Sequence, residues 1–226
     1  MHGENIPPMG AVIAVCSEKG GVSKSTIALH LAAYYQENNP PGSLLLVDAD
    51  PQQALTRWAG EALPEQVVER VDSEDEMFEH LPTWSERYAM TVVDTAGGDT
   101  RIARAALFGV DLAVIPCGPT SLDLNATEAT LKLVELARRT RRSNLPRVLL
   151  APSKMTRTTL ASEVQHQLRQ FSETVLDAVP QRAVIADAPT AGDVVWNMGA
   201  GDVGELFRNV CRTIIERAQQ AHEGAL

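Results

Sequence analysis

Apolar residues fall along the chain in short unbroken runs, with no strict alternation of apolar and polar positions. Residues 11–16 (AVIAVC), 43–48 (SLLLVD), 90–94 (MTVVD), 113–116 (AVIP) and 147–151 (RVLLA) are of this kind. Runs of that length suit strands buried on both faces, as in a parallel sheet. Between them the periodicity changes. Ile27, Leu29, Leu31, Ala32 and Tyr35 predict a helix over residues 25–36, stopped by the breakers of residues 38–42 (NNPPG). A second helical stretch runs from about residue 124 to 142. Val203, Leu206, Phe207, Val210 and Ile214, at spacings of three and four, predict an amphipathic closing helix over about 202–220. This alternation implies βαβ units and an α/β fold: a doubly wound, mostly parallel sheet with helices on both faces. The acidic stretch 72–76 (DSEDE) reads as a solvated turn or helix start. With 226 residues the chain fits one domain, placed at 11–222 with tails at 1–10 and 223–226.

In an open parallel sheet, ligands gather at the carboxyl ends of the strands. Two apolar runs finish there on carboxylates, Asp48 and Asp94, which places both on one rim.

Charge changes the picture only locally. The net charge of −9 argues against a wholly basic nucleic-acid binder. Residues 1–100, however, carry 16 acidic and 5 basic side chains, and residues 101–226 carry 13 and 15, so a basic face remains open to the second half. No window approaches the roughly 18 apolar residues that a membrane span needs, and residues 1–10 lack the basic start and apolar middle of a secretory signal, so a cytoplasmic location is expected. Cys16, Cys117 and Cys211 are scattered and form no CxxC pair, which reads as three core thiols.

The chemistry concentrates in residues 18–26 (EKGGVSKST), between the first strand and the first helix. A loop so placed can aim backbone N–H groups at a polyphosphate while the helix presents its positive end to the same anion. Lys24 would reach the terminal phosphates and the Ser25 hydroxyl would coordinate magnesium. The segment resembles the deviant Walker A family of ParA and MinD, whose signature is written KGGxGK[ST]. The resemblance implies ATP and Mg2+ as ligands, with Gly20, Gly21, Val22, Ser23, Lys24, Ser25 and Thr26 at the nucleotide. It also implies a nucleotide-sandwich homodimer in which Lys19 crosses to the partner's phosphates as a charge stabiliser. One residue departs from the pattern: Ser23 stands where the family has glycine, at a place where φ is unusual or a ligand comes close.

Residues 47–52 (VDADPQ) resemble the family's first switch. The resemblance implies that Asp50 orients the attacking water and Asp48 supports the magnesium shell; a solvated helix cap is the alternative for Asp50. Residues 92–98 (VVDTAGG) resemble the second switch, making Asp94 the Walker B-like carboxylate and Gly97 and Gly98 a mobile loop; alone, they could be a plain strand exit. Residues 179–192 resemble a ParA-branch segment that lies against adenine, which implies contacts from Ala188 and Pro189.

What the resemblance implies about cellular role is an ATPase that is slow unless stimulated by a ParB-type adaptor. It would bind DNA non-specifically, associate with the nucleoid when ATP-bound, and segregate or position DNA or a similar cargo. Arg208 and Arg212, one turn apart on the closing helix, are the candidate DNA contacts; Arg138, Arg139, Arg141 and Arg142 could equally complement a helix dipole. Trp58 and Trp196 read as packing residues. A membrane-cycling MinD-like ATPase would need a terminal amphipathic helix with basic and bulky apolar residues, whereas residues 219–226 (QQAHEGAL) are polar and lack a basic face. A metabolic ligase of the same fold is the other alternative, and the sequence leaves the cargo open.

Overall fold

The computed structural model of the chain describes residues 10–98 and 100–225. The tail expected at residues 1–10 lies, apart from Gly10, outside the described residues. The strands are β1 (Ala11–Val15), β2 (Leu44–Ala49), β3 (Val68–Arg70), β4 (Met90–Thr95), β5 (Leu112–Cys117), β6 (Arg147–Pro152) and β7 (Thr174–Val175). The helices are α1 (Lys24–Gln36), α2 (Ala54–Ala62), α3 (Glu74–Arg87), α4 (Thr100–Leu107), α5 (Ser121–Arg141), α6 (Thr159–Leu168), α7 (Ala183–Thr190) and α8 (Asp202–Glu223).

The strands form one sheet in the order β3-β2-β4-β1-β5-β6-β7, and every pairing in it is parallel. The unbroken apolar runs follow from this topology, because each central strand must offer apolar side chains to both faces. Ile13, Val15, Leu46 and Val92 pack on one face against α1, α2, α7 and α8. Val12, Ala14, Leu45 and Val93 pack on the other against α3 and α4, and Ala113, Ile115, Val148 and Leu150 against α5 and α6. The sheet is therefore doubly wound, as the sequence pattern requires.

The closing helix docks as its spacing predicts, with Phe207, Val210, Ile214 and Ala218 buried against the sheet. Cys16, Cys117 and Cys211 are buried free thiols. The stretch 72–76 turns out to be the start of α3. Ser73 caps that helix by accepting from the Glu76 N–H, and Glu74, Asp75 and Glu76 occupy its positive first turn.

Both Asp48 and Asp94 sit at the carboxyl ends of adjacent strands, paired in register across β2 and β4. β1 lies beside β4, so the loop leaving β1 opens onto the same rim.

Candidate functional site

Residues 17–23 carry the chain from β1 into α1. Gly21 and Ser23 both adopt left-handed backbone, at φ 75° and 78°. Ser23 is the residue where glycine was expected, and its φ is the reason for that expectation: an L side chain there is strained by about 1–2 kcal/mol. Among the described residues, the backbone N–H groups of residues 20–26 donate to no protein acceptor. Their carbonyls, by contrast, are held. The Ser153 hydroxyl donates to the Val22 carbonyl at 2.8 Å, and Lys154 Nζ donates to the Gly21 carbonyl at 2.6 Å. A loop whose oxygens are tied back while successive amides stay free, at the head of a 13-residue helix, is a cradle for an anion.

Lys24 is buried within this cradle, and its Nζ donates to the Lys19 carbonyl at 3.0 Å. Burial lowers its pKa, opposed by the charges of Asp94 and Asp50. Gly97, at the exit of β4, touches the loop from the other side: a Cβ there would meet the Gly20 Cα and nitrogen at 2.7 Å. Only glycine lets that second loop lie on the first.

Asp94 is completely buried, and neither carboxylate oxygen has a hydrogen-bond partner among the described residues. Burial raises its pKa to about 8; the nearby Ser25 hydroxyl and Lys24 pull the other way, while Asp48 and Asp50 add to the rise. Two orphaned carboxylate oxygens beside a serine hydroxyl at the phosphate cradle are the hard oxygen donors that Mg2+ prefers. The residues present thus fit the ion, and Ser25 and Asp94 are those that would hold it.

Asp48 is differently engaged. Its Oδ2 accepts from the Thr56 N–H and hydroxyl at 2.9 and 2.7 Å, and its Oδ1 accepts from the Asp50 N–H at 3.1 Å. It ties the loop 50–53 to α2, so any support it lends to a metal passes through the position of that loop. Asp50 accepts from the Gln52 N–H at 2.9 Å and lines an open recess of about 610 Å³ with Gln52, Gly97, Gly98 and Arg101.

Lys19 is tied down within its own chain. Its Nζ lies 2.6 Å from Asp123 Oδ1, and Asp123 also forms the capping box of α5 with Thr120. The lysine's charge and the Thr120 bonds hold the Asp123 pKa below the usual carboxylate range against its burial. Gly118 leaves room for this carboxylate, since a Cβ there would meet Asp123 Oδ2 at 2.6 Å. Nothing in the one-dimensional pattern singled out Asp123, which lies about 100 residues beyond Lys19.

A second cavity, of about 510 Å³, opens beside Ser23 and Thr26 and is lined by Trp58, Lys154, Pro180, Arg182, Ile185 and Pro189 among others. Pro189 thus faces it, whereas Ala188 is fully buried and does not line it. Trp58 was not anticipated in this role; Lys154 has φ 54°, a left-handed backbone that sequence does not announce.

Arg208 and Arg212 line neither this cavity nor the recess beside Asp50. Arg208 donates to Glu37 at 2.9 Å and lies 5.2 Å from the centre of the Trp196 ring; Arg212 is exposed and makes no ion pair among the described residues. In the α5 cluster, Arg138 pairs with Glu173 at 2.7 Å, Arg139 lies 3.8 Å from Glu135, and Arg141 donates to the Val110 carbonyl at 2.6 Å.

With this geometry in hand, likeness to other proteins has a specific meaning. Residues 13–195 match the family model of the CobQ/CobB/MinD/ParA nucleotide binding domain. The chain is 30% identical to the maintenance of carboxysome distribution protein A of Halothiobacillus neapolitanus over 193 residues, covering 83% of this chain and 88% of that one. It is 28% identical to the chromosome-partitioning ATPase Soj of Thermus thermophilus, covering 92% and 97%. Apo McdA of Cyanothece shares the fold, at a TM-score of 0.76 and 16% identity over 93% of this chain and 98% of that one. The free amides of the loop, Lys24 and the Asp94–Ser25 pair stand inside the matched segment, and the chain belongs to the CobQ/CobB/MinD/ParA family of P-loop nucleotide-binding proteins.

Proposed function

We propose that the chain is a ParA-type ATPase that binds ATP with Mg2+, dimerises through the bound nucleotide, holds DNA non-specifically, and positions DNA or another large cargo under control of a ParB-type adaptor. The observation that carries this reading is the cradle itself: free amides at residues 20–26, Lys24 buried among them, and the orphaned oxygens of Asp94 beside Ser25.

Each residue then has a task. The amides of residues 20–26 and Lys24 bind the phosphates, Ser25 and Asp94 hold magnesium, and Asp48 sets the loop on which Asp50 aligns water. Magnesium supplies neutralisation of charge on the phosphoryl oxygens. The base lies in the cavity lined by Trp58 and Pro189. Lys19 reaches across to a second subunit, which requires it to leave Asp123. The catalytic unit spans residues 11–222 and works in the cytoplasm, on the nucleoid when ATP is bound.

The names of the relatives favour positioning over metabolism, one being tied to carboxysome distribution and the other to chromosome partitioning. The carboxysome name supports a second reading in which the machine is the same and the cargo is a protein compartment. For the membrane-cycling alternative, no described helix is long and apolar enough to cross a membrane, and the apolar face of α8 is buried against the sheet and so not offered to a membrane interface.

The test is sedimentation of the purified protein together with binding to arbitrary duplex DNA, each with ATP–Mg2+, with ADP and without nucleotide, at two salt concentrations. ATP-dependent dimers that bind DNA and release it as salt rises are the expected result. Dimers indifferent to nucleotide, or no ATP binding at all, would sink the reading.

A further inference from the structure

At the opposite end of the strands from the phosphate cradle lies a cavity of about 600 Å³. It is built where β5, β6 and β7 begin, under the C-terminal parts of α5 and α8, and its wall includes Leu112, Arg147, Thr174 and Arg217. Three arginines line it, Arg138, Arg147 and Arg217, against a single acidic residue, Glu173. That carboxylate is already committed. Arg138 Nη1 holds Glu173 at 2.7 Å while its Nε donates to the Pro146 carbonyl at 2.9 Å, making a fixed wall.

Arg147 and Arg217 form no ion pair with any described residue; Arg217 donates only to the Gln220 side chain, at 3.2 Å. Two cations bordering one cavity repel each other unless an anion sits between them. A helix dipole does not account for them. Its effect fades within the last turn, yet Arg147 opens a strand and Arg217 lies well before the end of α8 at Glu223. Asn144, Ser172, Thr174 and Gln220 complete the wall with neutral hydrogen-bonding groups and no further charge. The whole chain carries −9, so this cationic hollow runs against its overall charge.

We propose that this cavity is a second anion site, remote from the nucleotide cradle, that takes a small phosphate-bearing molecule between Arg147 and Arg217. Guanidinium forks match phosphate oxygens in bidentate fashion, and the hydroxyl and amide groups can satisfy the remaining oxygens. The concave shape and volume fit a small molecule, which pockets of roughly 300–1,000 Å³ enclose. Duplex backbone is instead met by cations displayed along a surface. Occupancy would bridge α8 to β6 and so brace the C-terminal helix.

The experiment is calorimetric titration with inorganic pyrophosphate, without nucleotide or metal, on the wild type, Lys24→Ala, Arg147→Ala/Arg217→Ala, and the protein carrying all three changes. Wild type should show two sites. Lys24→Ala should lose the cradle site, the double arginine variant should lose the remote site with a fall in affinity of about tenfold or more, and the triple variant should lose both. Melting curves keep the comparison to folded protein; Arg147 and Arg217 are exposed, so their replacement should leave the fold intact. A remote site that survives in the double arginine variant overturns the proposal, as does a single site abolished by Lys24→Ala alone. Short duplex DNA is titrated in parallel: displacement of pyrophosphate from the remote site by DNA, with both lost together in the arginine variant, would assign the hollow to backbone phosphates and overturn the small-molecule assignment. A wild type that shows the remote site but no cradle site would count against the nucleotide reading and leave the remote site standing.

Discussion

Ser23 holds a φ of 78° at the point where the loop turns into α1, with no side-chain cap to offset it. Glycine at this position would release the strain of left-handed backbone but would add conformational entropy to the unfolded chain. Ser23→Gly is therefore expected to stabilise the protein by up to about 1 kcal/mol, measured by urea denaturation, with nucleotide affinity unchanged or tighter. A clear loss of stability would mean that the serine hydroxyl is a tether. Asp94 presents the opposite case. Its carboxylate is fully buried with no partner for either oxygen, a cost that a site tolerates only when it has a ligand to meet. Asp94→Asn should raise the melting temperature without Mg2+ and remove the extra stability that ATP gains when Mg2+ is added. If the variant still responded to magnesium, Asp94 would not be the metal holder. The motif residues Lys24, Ser25 and Asp94 were legible in sequence because their spacing from the strands sets their place. Asp123 and Trp58 were not, because their importance rests on partners far away in the chain.

Elements are joined at the site by His30, a feature that no motif contains. It lies in α1, fully buried, with Nδ1 at 2.7 Å from the Thr26 carbonyl and Nε2 accepting the Val195 N–H at 3.0 Å. These bonds require a neutral ring with its proton on Nδ1, and they tie the helix that carries Ser25 to the segment after α7. Burial lowers its pKa from the ordinary 6.5 to about 4, with the Thr26 bond partly opposing. A folded pKa below the unfolded one means that the stability is present above about pH 6.5 and is lost as the pH falls toward 4. The change amounts to about 3 kcal/mol over that window. Asp94, whose folded pKa is raised, gains stability over the same window in both proteins, so the test is the difference: from pH 7 to 4 the unfolding free energy of the wild type should fall relative to that of His30→Gln, which starts from a lower value. An equal slope in both proteins would rule out the ring as its source. At this scale the long helices α1, α5 and α8 were readable from periodicity. Of α3 only the acidic start was read, as a turn or a helix start, its course being hidden by Pro82 in its interior, and β3 and β7 were hidden by lengths of three and two residues. Such short edge strands are held by pairing to a neighbour, which local pattern cannot record.

Across the whole molecule, the two candidate DNA arginines separate. Arg208 is drawn into contact with Glu37 and Trp196, joining α8 to the end of α1, while Arg212 stays exposed. On the proposed function, Arg212→Ala should weaken binding to unrelated duplexes alike and reduce the dependence on log salt by roughly one phosphate contact. Arg208→Ala should act on the melting temperature as well. Fluorescence anisotropy over a salt series, with melting curves beside it, distinguishes the two; identical salt slopes for wild type and Arg212→Ala would remove that residue from the interface.

The parallel sheet, the loop at its rim and the ligand chemistry of that loop were determined by the sequence alone, since strands buried on both faces must be apolar throughout and a phosphate cradle needs glycine, lysine and hydroxyl in a fixed local order. Tertiary structure alone decided that Lys19 rests on Asp123, that Ser153 and Lys154 hold the loop's carbonyls, and that Arg147 and Arg217 meet in one hollow. Those groupings bring together residues from about 70 to more than 130 positions apart, and their energies depend on burial and approach that exist only once the sheet has assembled.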